Sequence, residues 1–232
     1  MNGQPVAVLN NGVEIPQLGF RVLQLPPDQT AGIVERALQI GYRHIDTAAR
    51  YGNEAGVAEG IRRSGLPREE LFITTKLPND RHGRRLVTGA LEESLNRLRL
   101  DHLDLYLIHW PLPIQDLYAE TWQGMEDMRA QGKARAIGVS TAWGPLGRGQ
   151  YPLLEDADVR AIAREQGKTP AQVVIRWHMQ KGNIIFPKSG HEARLRENFA
   201  VFHFSLSPGQ MATIDQLDAD RRIGPDPAEF TG

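Results

Sequence analysis

Four acid–base side chains occur at or just beyond the ends of three strand-like segments of this chain. Asp46 and Lys76 end two successive segments, His109 follows the third, and Tyr51 lies in the loop after Asp46. A cation beside a phenol favours loss of the phenol's proton, for which the reference pKa is about 10. The set is therefore suited to reversible proton transfer to a carbonyl oxygen, and not to metal binding or phosphate transfer.

Each of these residues also has a simpler explanation when it is taken alone. Asp46 could cap a turn, and Tyr51 next to a glycine could be a packed loop aromatic. His109 could be a core histidine bonded to the backbone, whereas Lys76 after an apolar strand needs a charged partner. The simpler explanations weaken when the four are taken together, because strand ends of this kind meet at one edge of a sheet.

A metal hydrolase is the alternative use of the histidines. His44, Asp46, His102 and His109 include residue types that bind zinc. His44 and Asp46 share one strand face, but His102 lies outside any expected strand end. Three converging ligands are hard to assemble from this arrangement, so we expect no metal site.

The segments that must position these residues alternate between strand-like and helical patterns. Runs of alternating apolar residues around Asn11-Gly12 predict an N-terminal β-hairpin. A short run, Leu18 to Leu25, precedes the first helix. Strands are then expected at Tyr42 to Thr47, Leu71 to Leu77, Leu103 to Ile108, Ala136 to Val139 and Asn183 to Phe186.

Helical patterns separate these strands, and their spacing of apolar residues by three and four indicates one buried face. They are expected at Thr30 to Ile40, Asn53 to Arg63, Leu86 to Leu98, Tyr118 to Ala130, Asp156 to Glu165, Pro170 to Gln180, Glu192 to Phe199 and Ser207 to Leu217. Strands alternating with long helices predict parallel βαβ units. The regular series favours an α/β fold of the (β/α) barrel type, which carries its chemistry at the C-terminal ends of the strands.

Composition narrows the class of protein. The chain has 232 residues, a net charge of -1 and no cysteine, and its isoelectric point is about 6.7. These values give no reason to expect nucleic acid as a partner, and they exclude disulfides and thiol chemistry. No apolar run approaches membrane-spanning length. We expect a single domain over 1–232 that is cytoplasmic and has no membrane partner.

Several longer motifs resemble the aldo-keto reductases, most closely the bacterial branch that includes 2,5-diketo-D-gluconate reductases. The matching segments are IPQLGF, GYRHIDTAARYGNE, GLPREELFITTKL, DLYLIHWP, GKARAIGVS, WGPLGRGQY, GKTPAQVVIRWHMQKG and FPKSGHEARLRENFAVFHF. The resemblance covers nearly the whole chain. It implies a monomeric enzyme on a (β/α)8 TIM barrel, which uses NADPH/NADP+ to reduce a small-molecule carbonyl substrate, namely an aldehyde, ketone or diketone.

The resemblance also implies roles for individual residues. Tyr51 would donate a proton to the carbonyl oxygen, Lys76 held by Asp46 would assist it, and His109 would orient the carbonyl. Substrate-binding positions would be Trp110 and Leu23. Cofactor-binding positions would be Ser140 and Trp143 at the nicotinamide, Gly144, Pro145, Leu146 and Gly147 at the pyrophosphate, Lys188, Ser189 and Arg194 at the 2′-phosphate, and Glu197 and Asn198 at the adenine.

Three positions depart from the family pattern. Arg21 stands where the family usually has glycine, Leu23 where it has an aromatic residue, and Pro78 where it commonly has tryptophan. Two aromatic walls of the substrate pocket are thus absent, and an arginine is expected near the nicotinamide end. A more open pocket, receptive to a polar or anionic substrate, follows from these changes.

A larger departure follows Ser140. In the family a helix, a strand and a second helix separate this position from the WGPLG strand, but here Ser140 is followed almost at once by Trp143. About forty residues are missing from a barrel that typically needs about 250, and parallel strands need a crossover of about a dozen residues or more. Either a segment is left out of the sequence as read, which we favour, or the deletion is genuine. The second alternative allows a catalytically impaired cofactor-binding or interaction protein on the same scaffold.

Overall fold

The computed structural model describes residues 4–140, 146, 152–218 and 226. It begins with the expected hairpin, in which β1 (Val6–Val8) pairs antiparallel with β2 (Glu14–Pro16). Gly12 in the connecting turn has a φ of 82°, a left-handed conformation that glycine adopts without strain. The Asn-Gly signal therefore predicted this turn correctly.

A parallel sheet follows the hairpin. Its neighbouring strands are β3 to β7 in chain order, which is the order expected when each strand is joined to the next through a helix. The strands are β3 (Phe20–Arg21), β4 (His44–Asp46), β5 (Phe72–Leu77), β6 (Leu103–Ile108) and β7 (Ala134–Val139).

Eight helices longer than one turn are found in the described residues. They are α1 (Pro27–Ile40), α2 (Glu54–Ser64), α3 (Arg84–Leu98), α4 (Tyr118–Ala130), α5 (Ala157–Gln166), α6 (Pro170–Gln180), α7 (Glu192–Phe199) and α8 (Pro208–Asp215). The first begins three residues earlier than expected, because proline is favourable in a first helical turn, where its missing N–H is not needed.

The last expected strand, Asn183 to Phe186, is reduced to one parallel bridge between Ile185 and Leu18. Ile185 donates its N–H to the carbonyl of Gln17 and accepts from the N–H of Gly19. This segment therefore lies beside the start of β3 and extends the sheet to six neighbouring positions. Between β7 and Ile185, the described residues contribute no further strand.

The apolar core lies between the sheet and its helices. A hairpin residue, Ile15, packs with Phe72, Leu105 and Ala136 and so closes the N-terminal end of the sheet. A separate apolar cluster joins α5, α6 and α8. No helix in the described part of the chain is both long and apolar enough to cross a membrane.

Candidate active site

A buried ion pair joins two neighbouring strands at the C-terminal end of the sheet. Asp46 on β4 is opposite Thr74 on β5, and Lys76 lies two residues beyond Thr74. Because strand residues two apart point to the same face, the lysine and the aspartate share one side of the sheet. Lys76 Nζ donates to Asp46 Oδ1 at 2.5 Å, and both side chains are 1% exposed.

The lysine amine is held by a second contact, donated to the carbonyl oxygen of Thr47 at 2.8 Å. Burial lowers the pKa of Lys76 to about 8, against the opposing effect of the Asp46 carboxylate. Burial would raise the pKa of Asp46, but the charges of Lys76 and Arg21 outweigh it and hold that pKa below its usual value. At neutral pH the site therefore contains a carboxylate and an ammonium group.

Arg21 provides the second partner of Asp46. Its Nε donates to Asp46 Oδ2 at 2.8 Å, and Arg21 and Asp46 are direct neighbours in the parallel pairing of β3 with β4. Each oxygen of the carboxylate thus faces a different cation. Arg21 is one of the departures from the family pattern, but its ion pair with Asp46 was not predicted from the sequence. The pair depends on the register of two short strands.

Tyr51 is carried by a short turn just beyond β4. The turn Ala49–Tyr51 ends at Gly52, where φ is 68°. The side chain of Asn53 anchors the loop, because it donates to the carbonyl of Val22 at 2.8 Å and accepts from the Thr47 hydroxyl at 3.2 Å. Asn53 immediately precedes α2 but makes no capping hydrogen bond; its side chain instead fixes the approach of the tyrosine loop to β3.

The tyrosine ring lies between the lysine and the histidine. Lys76 Nζ is 5.3 Å from the Tyr51 ring centroid. The Tyr51 and His109 ring centroids are 5.7 Å apart, with an edge-to-face angle of 74°. His109 extends the pairing of β6 with β5, since its N–H donates to the carbonyl of Leu77. The structure therefore brings all four predicted acid–base residues together.

His109 is uncharged at neutral pH, because burial and the nearby Lys76 charge lower its pKa to about 4. Its Nδ1 is buried without a hydrogen-bond partner among the described residues. A neutral imidazole can still donate one hydrogen bond. This group can therefore orient a carbonyl oxygen beside the tyrosine without competing as an acid.

The metal alternative fails at His44. Its ring nitrogens lie 3.2 Å from the Pro16 carbonyl oxygen and 2.8 Å from the Thr74 hydroxyl, so both are already used within the core. Within the described ranges, no group of three or more potential metal ligands is present. The histidine and aspartate of β4 serve the core and the ion pair instead.

The two predicted substrate-binding residues border the same end of the sheet. Trp110 directly follows His109 and is 9% exposed. Leu23 is half-buried in the turn after β3. Their positions beside the acid–base residues agree with walls of a substrate pocket.

The predicted cofactor-binding residues are only partly covered. Ser140 lies at the end of β7 and donates its N–H to the carbonyl of Ile108 at 2.8 Å. Leu146 is half-buried and packs against two of the apolar clusters. Trp143, Gly144, Pro145 and Gly147 lie outside the described residues.

The remaining cofactor candidates surround helix α7. Lys188 and Arg194 are exposed, whereas Ser189 and Asn198 are each 4% exposed. Ser189 Oγ accepts from the N–H of His191 at 3.0 Å. Glu197 accepts from the Thr169 hydroxyl at 2.6 Å, so part of its hydrogen-bonding capacity links α7 to the start of α6.

Comparison with known proteins places these residues in a family context. A family model described as "Aldo/keto reductase family" matches residues 17–145 and 147–219. An aldo-keto reductase of Mycobacterium sp. (strain KMS) is 40% identical over 273 aligned positions, which cover 98% of each protein. Methylglyoxal reductase DkgA of Escherichia coli (strain K12) is 37% identical, and the alignment covers 100% of both chains.

Solved structures give the same result for the fold. The apo form of Gox0644 superimposes with a TM-score of 0.94 at 37% identity, covering 100% of both chains. A Gox0644 mutant in complex with NADPH superimposes with a TM-score of 0.92 at 37% identity, covering 99% of this chain and 100% of that chain. The α/β barrel expected from the sequence is thereby confirmed.

The comparisons also locate the missing segment. The mycobacterial alignment has 273 positions and this chain has 232 residues, so at least 41 positions have no residue in this chain. The family match is divided at residue 146, shortly after Ser140. These positions have no counterpart in this sequence, which agrees with the gap expected after Ser140.

Matched over most of its length by the family model, and 37–40% identical to full-length relatives, the chain belongs to the aldo/keto reductase family.

Proposed function

We propose that this protein is an NADPH-dependent reductase of aldehydes, ketones or dicarbonyl compounds, with Tyr51 as the proton donor. The observation that carries the proposal is the buried Asp46–Lys76 pair, 2.5 Å between charged atoms, set directly beside the tyrosine ring. Burying an ion pair costs desolvation free energy that can exceed its Coulombic gain, so stability alone does not account for the pair. Here it lies at the strand ends where barrel enzymes place their catalytic groups.

Each side chain has one task in the proposed reaction. NADPH, when bound, would supply the hydride for the carbonyl carbon. Tyr51 gives its proton to the carbonyl oxygen, which completes the alcohol, and the ammonium of Lys76 stabilises the phenolate that remains. Asp46 holds Lys76 in place, and neutral His109 donates a hydrogen bond to the oxygen on which negative charge builds up.

The residues present fit the phosphate end of NADPH. Exposed Lys188 and Arg194 offer positive charge, and buried Ser189 offers a hydroxyl at the start of α7. Arginine and lysine beside a hydroxyl are suited to a 2′-phosphate, which distinguishes NADPH from NADH. Asn198 and Glu197 would contact the adenine, and Ser140 the nicotinamide amide.

Small reactive dicarbonyls are the first substrates to test. The related Escherichia coli protein is named a methylglyoxal reductase, and in this chain Leu23 and Pro78 replace the aromatic residues that narrow the pocket in the family. We propose that residues 1–232 form one domain, which works as a cytoplasmic monomer on such small molecules. Light scattering of the eluting protein would test the monomer, and a stable dimer would contradict it.

Replacement of the proton donor tests the function directly. We expect Tyr51→Phe to lower kcat for methylglyoxal and 4-nitrobenzaldehyde by about a hundredfold or more, the range of general-acid contributions. NADPH binding, followed by fluorescence titration, should remain close to wild type because the phenol does not hold the cofactor. Tyr118→Phe is the matched control, since Tyr118 is exposed on α4. Retained activity in Tyr51→Phe would refute this mechanism.

A second candidate is a cofactor-binding protein that has lost turnover. It is favoured by the absence of at least 41 positions found in a relative, because the nicotinamide platform is the part of the site closest to the break. The two candidates separate in one experiment on the purified chain. NADPH binding without oxidation of NADPH by any carbonyl in a broad panel would support the second candidate and reject the first.

A further inference from the structure

Arg21 forms an ion pair that the acid–base chemistry described above does not use. Its Nε lies 2.8 Å from Asp46 Oδ2, and its side chain is 14% exposed. Asp46 already neutralises Lys76 through the other oxygen. One carboxylate is therefore shared by two cations, which leaves a surplus positive charge at the acid–base site.

The position of this arginine is fixed by its surroundings. Its backbone belongs to β3 and pairs in register with Asp46, so the side chain extends along the same face as the carboxylate. The guanidinium carbon lies 5.6 Å from the centroid of the Phe186 ring, a cation–π distance. An arginine held between an aromatic ring and a buried carboxylate is not a freely moving surface cation.

We propose that Arg21 is a positioning residue that holds the second oxygen of Asp46 and keeps an additional positive charge beside the proton donor, which moves the upper pH limit of the reaction downward. The inference rests on the proposed function of Tyr51. A nearby cation favours the deprotonated form of any acid. The same charge is one of the causes that lower the pKa of Lys76. The charge of Arg21 therefore favours loss of a proton at lower pH from both Tyr51 and Lys76.

Other charged or titratable groups influence this site and define the background for the test. They come from the neighbouring strands, the tyrosine loop, α2 and the residue after β6, and they are His44, Asp46, Arg50, Glu54, Lys76 and His109. Arg21 acts directly on Asp46 and electrostatically on Lys76. Removing it therefore changes the charge of the site without removing any of these groups.

The pH profile of reduction tests the proposal. Arg21→Met removes the charge and keeps an unbranched side chain, and Arg21→Lys retains the charge. With 4-nitrobenzaldehyde, which has no group that titrates in this range, kcat/KM is measured from mildly acidic to strongly alkaline pH. We expect the alkaline fall in activity to move upward by roughly one pH unit in Arg21→Met, and Arg21→Lys to restore most of the wild-type profile.

Two results would overturn the proposal. One is an alkaline limb at the same pH in wild type and Arg21→Met, and the other is an equal shift in Arg21→Lys and Arg21→Met, because charge could not then be the cause. If Arg21→Met does not fold, Arg21→Gly serves as the second neutral variant and must give the same upward shift.

A second readout separates this inference from the proposed function. Ultraviolet difference spectra between each protein and its Tyr51→Phe counterpart report formation of the Tyr51 phenolate without any turnover. If Arg21→Met raises the pH of that transition while Tyr51→Phe remains active, the proposed function fails and the charge effect stands. If Tyr51→Phe is inactive but neither the transition nor the alkaline limb moves in Arg21→Met, the charge effect fails alone.

Discussion

The acid–base groups and the cofactor candidates are held in the molecule in opposite ways. The first group lies at the ends of β4, β5 and β6, where Asp46 and Lys76 are almost fully buried and are fixed by strand pairing. The second group surrounds α7, where Lys188 and Arg194 are exposed to solvent. The positions of the acid–base side chains therefore depend on the register of the sheet. The contribution of the exposed basic side chains depends mainly on their own charge.

This difference predicts how tightly function is coupled to stability. A buried charge that loses its partner destabilises the folded state strongly, whereas an exposed charge contributes little to folding. Substitutions among the acid–base residues should therefore change activity and stability together. Substitutions of the exposed basic residues should change cofactor binding and leave stability nearly unaltered.

The largest expected effect tests the two-cation arrangement at Asp46. Asp46→Asn leaves both Lys76 and Arg21 buried without their anion, so we expect it to lower the free energy of unfolding by about 3–5 kcal/mol. Lys76→Met leaves Asp46 paired with Arg21 and should cost less, although it also removes activity. Urea unfolding of both variants gives the comparison. A greater loss in Lys76→Met would contradict the sharing of Asp46 by two cations.

A buried histidine at the start of β4, His44, should make folding sensitive to acid. Burial lowers the pKa of His44 from 6.5 to about 4, so the unfolded chain takes up a proton before the folded protein does as the pH falls. The corresponding stability is complete above about pH 6.5 and is lost toward pH 4, by about 3 kcal/mol for this histidine. Unfolding measured at several pH values should show this loss.

Two histidine variants test whether His44 causes this loss of stability in acid. His44→Gln should have a weaker dependence of unfolding free energy on pH, and His203→Gln, at an exposed position, is the control. If both variants keep the wild-type dependence, other groups account for the acid sensitivity.

The smallest expected effect lies in the second region. Arg194→Ala and Lys188→Ala should each weaken NADPH binding by roughly ten- to a hundredfold, since a hydrogen bond to a charged group contributes about 1.5–3 kcal/mol. NADH binding and the urea midpoint should stay at the wild-type values. Arg196→Ala is the control on the same helix, because that exposed arginine pairs with Glu192. Equal losses of NADPH and NADH affinity would remove the assignment to the 2′-phosphate.

Strong local patterns predicted most of the fold. The expected bounds of β6, α4, α6 and α7 agree with the structure, because apolar periodicity and turn residues mark these segments clearly. The strand expected at Asn183 to Phe186 shortens to a single bridge at Ile185. Its pairing depends on β3, which is far away in the sequence, and no local pattern reports how many residues meet that partner.

The residue types by themselves predicted the chemistry proposed for the site, because an acid, an amine, an imidazole and a phenol at successive strand ends are suited to proton transfer. The tertiary structure decided which groups share charge. That Asp46 binds Arg21 as well as Lys76, and that Asn53 fixes the tyrosine loop, follows from strand register and from buried contacts between distant segments. Such contacts form only when the sheet assembles, since burial and the loss of water make each polar partner necessary.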